Sequence, residues 1–194
     1  IAKPKPIGLP ARCTRLSQAV PLDKYGDVGV LKLRKAGDAS RWRATPEFDS
    51  MTLDAALTAV DTMKLGQGSA TDLLAISFSA TDYVGHSFGT AGAETCSQVL
   101  ALDKTLGRLF AALDKTKIPY AVTLTADHGG HDLPERNRTN GLPAAERADI
   151  KLSAMLVGAG LQKQFGLTDN PLLGRANFGD IYLSTKVPAD KRTA

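Results

Sequence analysis

The hydrophobic positions of the chain fall into blocks with two rhythms. In residues 51–66, MTLDAALTAVDTMKLG, Leu53, Leu57, Val60 and Met63 or Lys64 recur at helical spacing. That predicts a helix with Ser50 as its cap and Gly66 as its stop. Met51 and Met63 read as packing groups. Val99, Leu102, Leu106, Leu109, Phe110 and Leu113 line one side of a second, longer helix over 93–115. Two other blocks, TDLLAISFSA (71–80) and IPYAVTLTA (118–126), are apolar and nearly continuous. Such runs suit strands buried on both faces of a parallel sheet. DIKLSAMLVGAG (149–160) and DIYLST (180–185) predict two more strands, and VGVLKLR (28–34) a short one.

Strand, helix and strand recur in order, so the expected class is α/β, with a largely parallel central sheet and helices on both faces. No internal repeat is visible. The first ten residues hold three prolines and two lysines, and residues 1–45 read as a linker or inserted segment. TPEFDS is turn-like, DYVGHSFGTAG is expected to be a loop, and 127–146 is a long irregular stretch rich in Gly, Pro and Asn. A connection of that length is usually functional or mobile.

Composition narrows the function. With 194 residues, 43% of them hydrophobic, the chain can bury one core. A charged fraction of 23% is ordinary for a folded protein. The net charge of +4 is mild and owes much to a basic run, KLRKAGDASRWR (32–43). Arg34, Arg41, Arg43 and Trp42 could face a nucleic acid. Gly37 and Asp38 interrupt the run and no recognition motif surrounds it, so a solvated loop is expected and no nucleic-acid partner. An anionic small substrate suits the same charge. The two cysteines, Cys13 and Cys96, form no CxxC pair, which argues against cysteine-bound zinc. One disulfide is possible, and Cys96 could equally be a buried thiol. No apolar run is long enough to cross a membrane, and the opening residues do not read as a signal peptide. It also lacks an initiator methionine, so the chain is expected to be processed or a piece of something longer.

The candidate chemistry sits behind the two continuous apolar blocks. SATDYVGHSFG follows the first and TADHGGHD the second, and all three histidines lie in these stretches. In a parallel sheet, ligands bind beyond the carboxyl ends of strands. Neighbouring strands would bring Asp82 and His86 to the same edge as Asp127 and His128. Aspartate oxygens and neutral imidazoles suit zinc or a similar divalent ion. Four such groups could start two sites a few ångströms apart, to be closed by other residues. Gly85, Gly89, Gly129 and Gly130 supply backbone freedom around them. Singly, each residue has a plainer use: Asp82 in an Asx turn, His86 as a structural polar group, Asp127 capping a turn, His128 and His131 in solvent. Jointly, metal binding is the better account. His131 is expected to support the ligands or touch substrate, with Asp132 and Glu135 orienting it. Arg136 could likewise support the ligands or, with Arg138, approach a phosphate, and both could instead lie on a solvated lid.

At SFSATDYVGHSFG and LTADHGG the chain resembles the alkaline phosphatase superfamily, most closely the zinc-dependent bacterial enzymes of Sphingomonas type that use a threonine nucleophile. The resemblance runs from TPEFD to near DIYLS. It implies that residues 46–194 are the central part of an alkaline-phosphatase-like catalytic domain. It implies that Asp82 and His86 hold one zinc and Asp127 and His128 the other. It also implies phosphomonoester hydrolysis through a covalent phosphothreonine, and export to the periplasm or beyond, where a Cys13–Cys96 disulfide would be permitted.

The chain departs from that pattern in two places. No histidine follows His131, so the late zinc ligand of the family is absent. Nothing before Asp82 reads as the ligand aspartate and threonine nucleophile: Asp61 and Thr62 lie inside a helix pattern, and Thr71 and Asp72 precede a strand. No catalytic nucleophile is therefore assigned. The rest of a parent chain is expected to complete the site, and the isolated piece to be inactive. Phosphodiesterase or nucleotide pyrophosphatase activity and a non-catalytic anion-binding role are the alternatives. A sulfatase is disfavoured because Cys13 lacks the motif around it, and a manganese-dependent mutase resembles the chain less.

Overall fold

The computed structural model describes residues 10–22, 26–30, 42–174 and 179–192. The chain divides into two compact units, 1–145 and 146–194. In the first unit, helix α1 spans Pro46–Thr62, beginning four residues ahead of the expected cap at Ser50. Pro46 at the helix start has no N–H to leave unpaired, and Glu47 and Asp49 place negative charge in the first turn. The helix ends before Gly66, whose φ of +77° only glycine adopts readily. A side chain there would also meet Ile118 at 2.9 Å.

The expected long helix is α3, Ala93–Thr116, with Lys117 left-handed at its end. It packs on α1, where Leu53 is fully buried. Arg108 of α3 donates to Ser50 Oγ at 2.8 Å and to Asp54 Oδ1 at 2.6 Å. The buried side of α3 is more polar than its apolar spacing implies. Glu94, Ser97, Gln98 and Thr105 are buried beside Leu109, while Val99 is 50% exposed.

Between α1 and α3 lies α2, Ala80–Phe88, where the sequence suggested a loop. Its N-cap residue, Ser79, makes no side-chain capping bond. Asp49 of α1 supplies one instead, its Oδ1 accepting from Ala80 N at 3.0 Å. The helix closes at Gly89, with φ +80°. Trp42, Phe48 and Tyr83 form an edge-to-face chain of rings, and Arg43 lies 5.7 Å over the Tyr83 ring. Trp42 and Arg43, the end of the basic run, thus pack against α2. Residues 31–41, including Arg34 and Arg41, lie outside the described residues, as do the last residues of the short strand expected over 28–34.

Two short strands, β1 (Val20–Leu22) and β2 (Gly26–Val28), pair antiparallel, Val20 opposite Val28. Val20, Leu22 and Val28 cluster with Leu133, and Phe88 packs against them. A Cys13–Cys96 disulfide ties this segment to α3. Gly29 N also donates to Glu94 Oε1 at 2.8 Å. The described part of the expected linker or inserted segment is therefore fixed to the helical unit.

The blocks 71–79 and 118–126 behave differently from expectation. Among the described residues neither belongs to a ladder, and the only pairs are antiparallel. Leu73 is 92% exposed and Leu124 78%. Their apolar, β-rich composition fits a buried strand, but a strand forms only where a neighbouring edge accepts its backbone groups.

In the second unit, 149–160 is not a strand. Residues Ile150–Leu152 form a 3-10 turn, and helix α5 covers Ala154–Gln164. Two caps decide this: Asp149 Oδ1 accepts from Lys151 N at 2.9 Å, and Ser153 Oγ from Leu156 N at 3.4 Å. A short apolar run such as AMLV does not by itself separate strand from helix. The expected final strand survives as β4, Tyr182–Leu183, paired antiparallel with β3, Leu172–Leu173. An α4 helix, Pro134–Thr139, interrupts the stretch expected to be irregular in the first unit.

Candidate functional site

On α2, Asp82 and His86 stand one turn apart, with His86 Nε2 3.3 Å from Asp82 Oδ1. The helix that replaces the expected loop is what puts both on one face. The second pair arrives on the segment after residue 126. Asp127 Oδ1 accepts from His128 N at 3.0 Å, which fixes the turn there. His128 Nε2 lies 3.5 Å from Asp127 Oδ2 and 3.6 Å from Asp82 Oδ1. The two stretches therefore meet, and Asp82 Oδ1 is the point they share.

The ring of His128 is oriented by its own backbone. Nδ1 lies 2.8 Å from the Gly129 carbonyl. A proton on Nδ1 satisfies that contact and leaves the Nε2 lone pair facing the two carboxylates. The Gly129 carbonyl and then the charge of Asp127 raise the imidazole pKa above its usual value; desolvation opposes them, and the charge of Asp82 adds the smallest upward push. All four side chains are accessible, from 38% exposed for Asp82 to 81% for Asp127. The set is carboxylate oxygen plus imidazole nitrogen, which fits zinc chemically. It is two donors and two donors, open to solvent. Among the described residues no group of three or more His, Cys, Asp or Glu is arranged to hold a metal ion alone.

The remaining candidates make other contacts. His131 is exposed, and its Nδ1 lies 3.1 Å from the carbonyl of Asp132, the neighbour expected to orient it. Arg136 does not lie on a solvated lid: it is 2% exposed. Its Nη1 donates to Asp132 Oδ1 at 2.5 Å and its Nη2 to the Phe88 carbonyl at 3.1 Å. The i, i+4 spacing of opposite charges was the available signal for this pairing. Arg138 is exposed on α4. Sequence reasoning missed Asp49, hidden in a turn-like stretch, and Glu94, hidden in an amphipathic helix.

Residues 13–171 match the family described as type I phosphodiesterase / nucleotide pyrophosphatase. The chain belongs to that family. It is 43% identical over 183 residues to the alkaline phosphatase PhoD of Zymomonas mobilis, covering 93% of this chain and 32% of that protein. It is 43% identical over 196 residues to the alkaline phosphatase PhoK of a Sphingomonas species, covering 99% of this chain and 35% of that one. Its fold is similar to the crystal structure of the alkaline phosphatase PafA, with a TM-score of 0.65 and 31% identity over 84% of this chain and 32% of that chain. The chain is thus alkaline-phosphatase-like α/β, and it spans about a third of the length of these relatives. The superfamily suggested by the sequence is the one found.

Proposed function

We propose that these residues supply half of the metal cage of a two-zinc phosphatase acting on small phosphate monoesters. The observation that carries this reading is Asp82 Oδ1, within 3.6 Å of the imidazoles of both His86 and His128. Asp82 and His86 would hold one zinc, and Asp127 and His128 the other. Bound there, zinc supplies positive charge to phosphoryl oxygens and lowers the pKa of an attacking hydroxyl. The residues described here do the positioning. The Gly129 carbonyl keeps His128 Nε2 available, and the His128 N–H holds the Asp127 carboxylate in place.

The remaining zinc ligands and a threonine nucleophile would come from parts of a parent chain outside these residues, consistent with a match to about a third of each relative. The isolated piece is then inactive. The Cys13–Cys96 disulfide favours an oxidising compartment, the periplasm or the cell exterior. The family description favours a second reading, phosphodiester or nucleotide pyrophosphate hydrolysis, with the same cage. Hydrolysis of a phenyl phosphate monoester and its matching diester by the zinc-loaded full-length protein decides between them. Faster monoester turnover, lost in Asp82→Asn and His128→Ala, supports the first reading. Faster diester turnover overturns it.

A further inference from the structure

A largely buried ion pair, Asp132 with Arg136, ties the end of α2 to the loop that carries Asp127 and His128. Asp132 Oδ1 accepts from Thr90 N at 2.9 Å, from Ala91 N at 3.3 Å and from Arg136 Nη1 at 2.5 Å. Arg136 Nη2 completes the circuit at the Phe88 carbonyl, at 3.1 Å. Phe88 is the last residue of α2, two residues beyond His86. Asp132 lies four residues beyond His128 and offers its carbonyl to His131. One carboxylate oxygen thus gathers three donors, two of them from the turn that ends α2.

The surroundings leave this pair little freedom. Asp132 is 9% exposed and Arg136 2%. Gly89 and Gly92 give the guanidinium its room: a side-chain carbon at Gly92 would lie 2.7 Å from Arg136 Nη2. Thr95 Oγ1 donates to the Gly89 carbonyl at 2.5 Å, fixing the same turn to α3. Leu133, between the two charged residues, is buried in the β1–β2 cluster. A buried charged pair is weak evidence for added stability, because desolvation offsets its attraction. Its bonds instead define where one segment sits relative to another.

We propose that Asp132 and Arg136 are positioning residues of the site, a clamp that sets the separation of the Asp82–His86 pair from the Asp127–His128 pair. The inference rests on the proposed metal site, but the contact it concerns exists in the protein itself. The clamp touches neither substrate nor metal. Its removal would let the loop carrying His128 drift from α2, so that two half-sites no longer face one reacting group. Outer partners of metal ligands commonly change affinity by about 10–100-fold.

The test uses the full-length protein with Arg136→Lys and Asp132→Asn, and Leu53→Ala as a control that destabilises the α1–α3 core without touching the clamp. Zinc affinity is read by competition with a chromophoric chelator. Imidazole 15N shifts of His86 and His128 are read in metal-free samples. The expected result is zinc binding at least about tenfold weaker in both clamp variants, and moved imidazole shifts. Leu53→Ala should do neither. Wild-type affinity and unmoved shifts in folded clamp variants overturn the proposal. If the wild-type protein binds no zinc, the metal reading fails, and the shifts alone decide the positioning role. Should both clamp variants fail to fold, Thr95→Val removes the Gly89 bond at nearly constant shape. It is then expected to move the same resonances, and unmoved resonances count against the clamp.

Discussion

Asp49 of α1 and Gln98 of α3 share a 2.8 Å hydrogen bond, Gln98 Nε2 donating to Asp49 Oδ2, with the two side chains 1% and 0% exposed. The other Asp49 oxygen caps α2 at Ala80. One carboxylate therefore ties three helices, including the one that carries Asp82 and His86. Burial is the largest influence on this group and raises its pKa above 3.8, although both hydrogen bonds pull it down.

The sign of the resulting pH dependence follows. Between the ordinary and the raised pKa, folded Asp49 keeps a proton that the unfolded chain has lost. Stability from this group is therefore greatest at low pH, falls as pH rises through that window, and stays reduced above it. Asp49→Asn removes the titration and should flatten that part of the stability–pH curve. Gln98 can accommodate the new amide by turning over, since its Oε1 has no hydrogen-bond partner. Asp49→Ala leaves two buried donors unpaired and should cost about 1–3 kcal/mol for each. Urea unfolding at several pH values measures both. A loss in Asp49→Asn as large as in Asp49→Ala would show that the charge, not the bonding pattern, is what the site needs.

The Cys13–Cys96 bridge closes a loop with a sequence separation of 83. Restricting an unfolded chain over that length is worth about 4–5 kcal/mol on the chain-entropy account, and native disulfides typically contribute about 2–5. Cys13→Ser/Cys96→Ser should lower stability by that order. It should also expose residues 10–22 to proteolysis first, because the bridge is the one covalent tie of that stretch to α3. Limited proteolysis with and without reductant, read by mass spectrometry, checks the order of cleavage.

What was legible in the sequence depended on how local its cause was. The helix α3 was readable to within a residue or two, because its apolar repeat is a local signal. The convergence of Asp82, His86, Asp127 and His128 was readable from the motifs and their spacing, although the paired strands expected to bring them together are not formed among the described residues. The helical state of 80–88 was not, because its cap comes from Asp49, thirty-one positions earlier. The helix α5 was missed because Ser153 and Asp149 act through the geometry of single hydrogen bonds, which apolar periodicity does not register. The burial of Arg136 was not legible because exposure is decided by what surrounds a residue, here Gly29, Gly89 and Gly92, not by its charge.

Gly92 has an ordinary backbone conformation, φ −92°, so its need for glycine is a matter of space alone. An added carbon would lie 2.7 Å from Arg136 Nη2 and 3.2 Å from Glu94 Oε2. Gly92→Ala should destabilise by about 1–3 kcal/mol, the usual cost of overpacking a buried site. Arg136→Lys shortens the fork that is struck, so the double variant should lose less than the two single losses combined. Thermal unfolding of the four proteins in a double-mutant cycle measures the coupling, expected at about 0.5–3 kcal/mol. Strict additivity would mean that the contact is relieved by movement elsewhere.

Metal removal separates the ligands from their neighbours. On the proposed reading, zinc binds the folded protein and not the unfolded chain. At a hundredfold excess over its dissociation constant it then stabilises by about 2.7 kcal/mol. Chelation should lower the unfolding midpoint of the full-length protein, and added zinc should restore it. Asp82→Asn should abolish most of that response, because Asp82 Oδ1 is the atom both imidazoles approach. His131→Ala should keep it within a few-fold of wild type in affinity: its ring contact is the Asp132 carbonyl, and the clamp uses the Asp132 side chain instead. Calorimetric zinc titration of these two variants distinguishes a ligand from a bystander. Loss of binding in His131→Ala with binding retained in Asp82→Asn would move the metal site from the face of α2 to the far end of the loop.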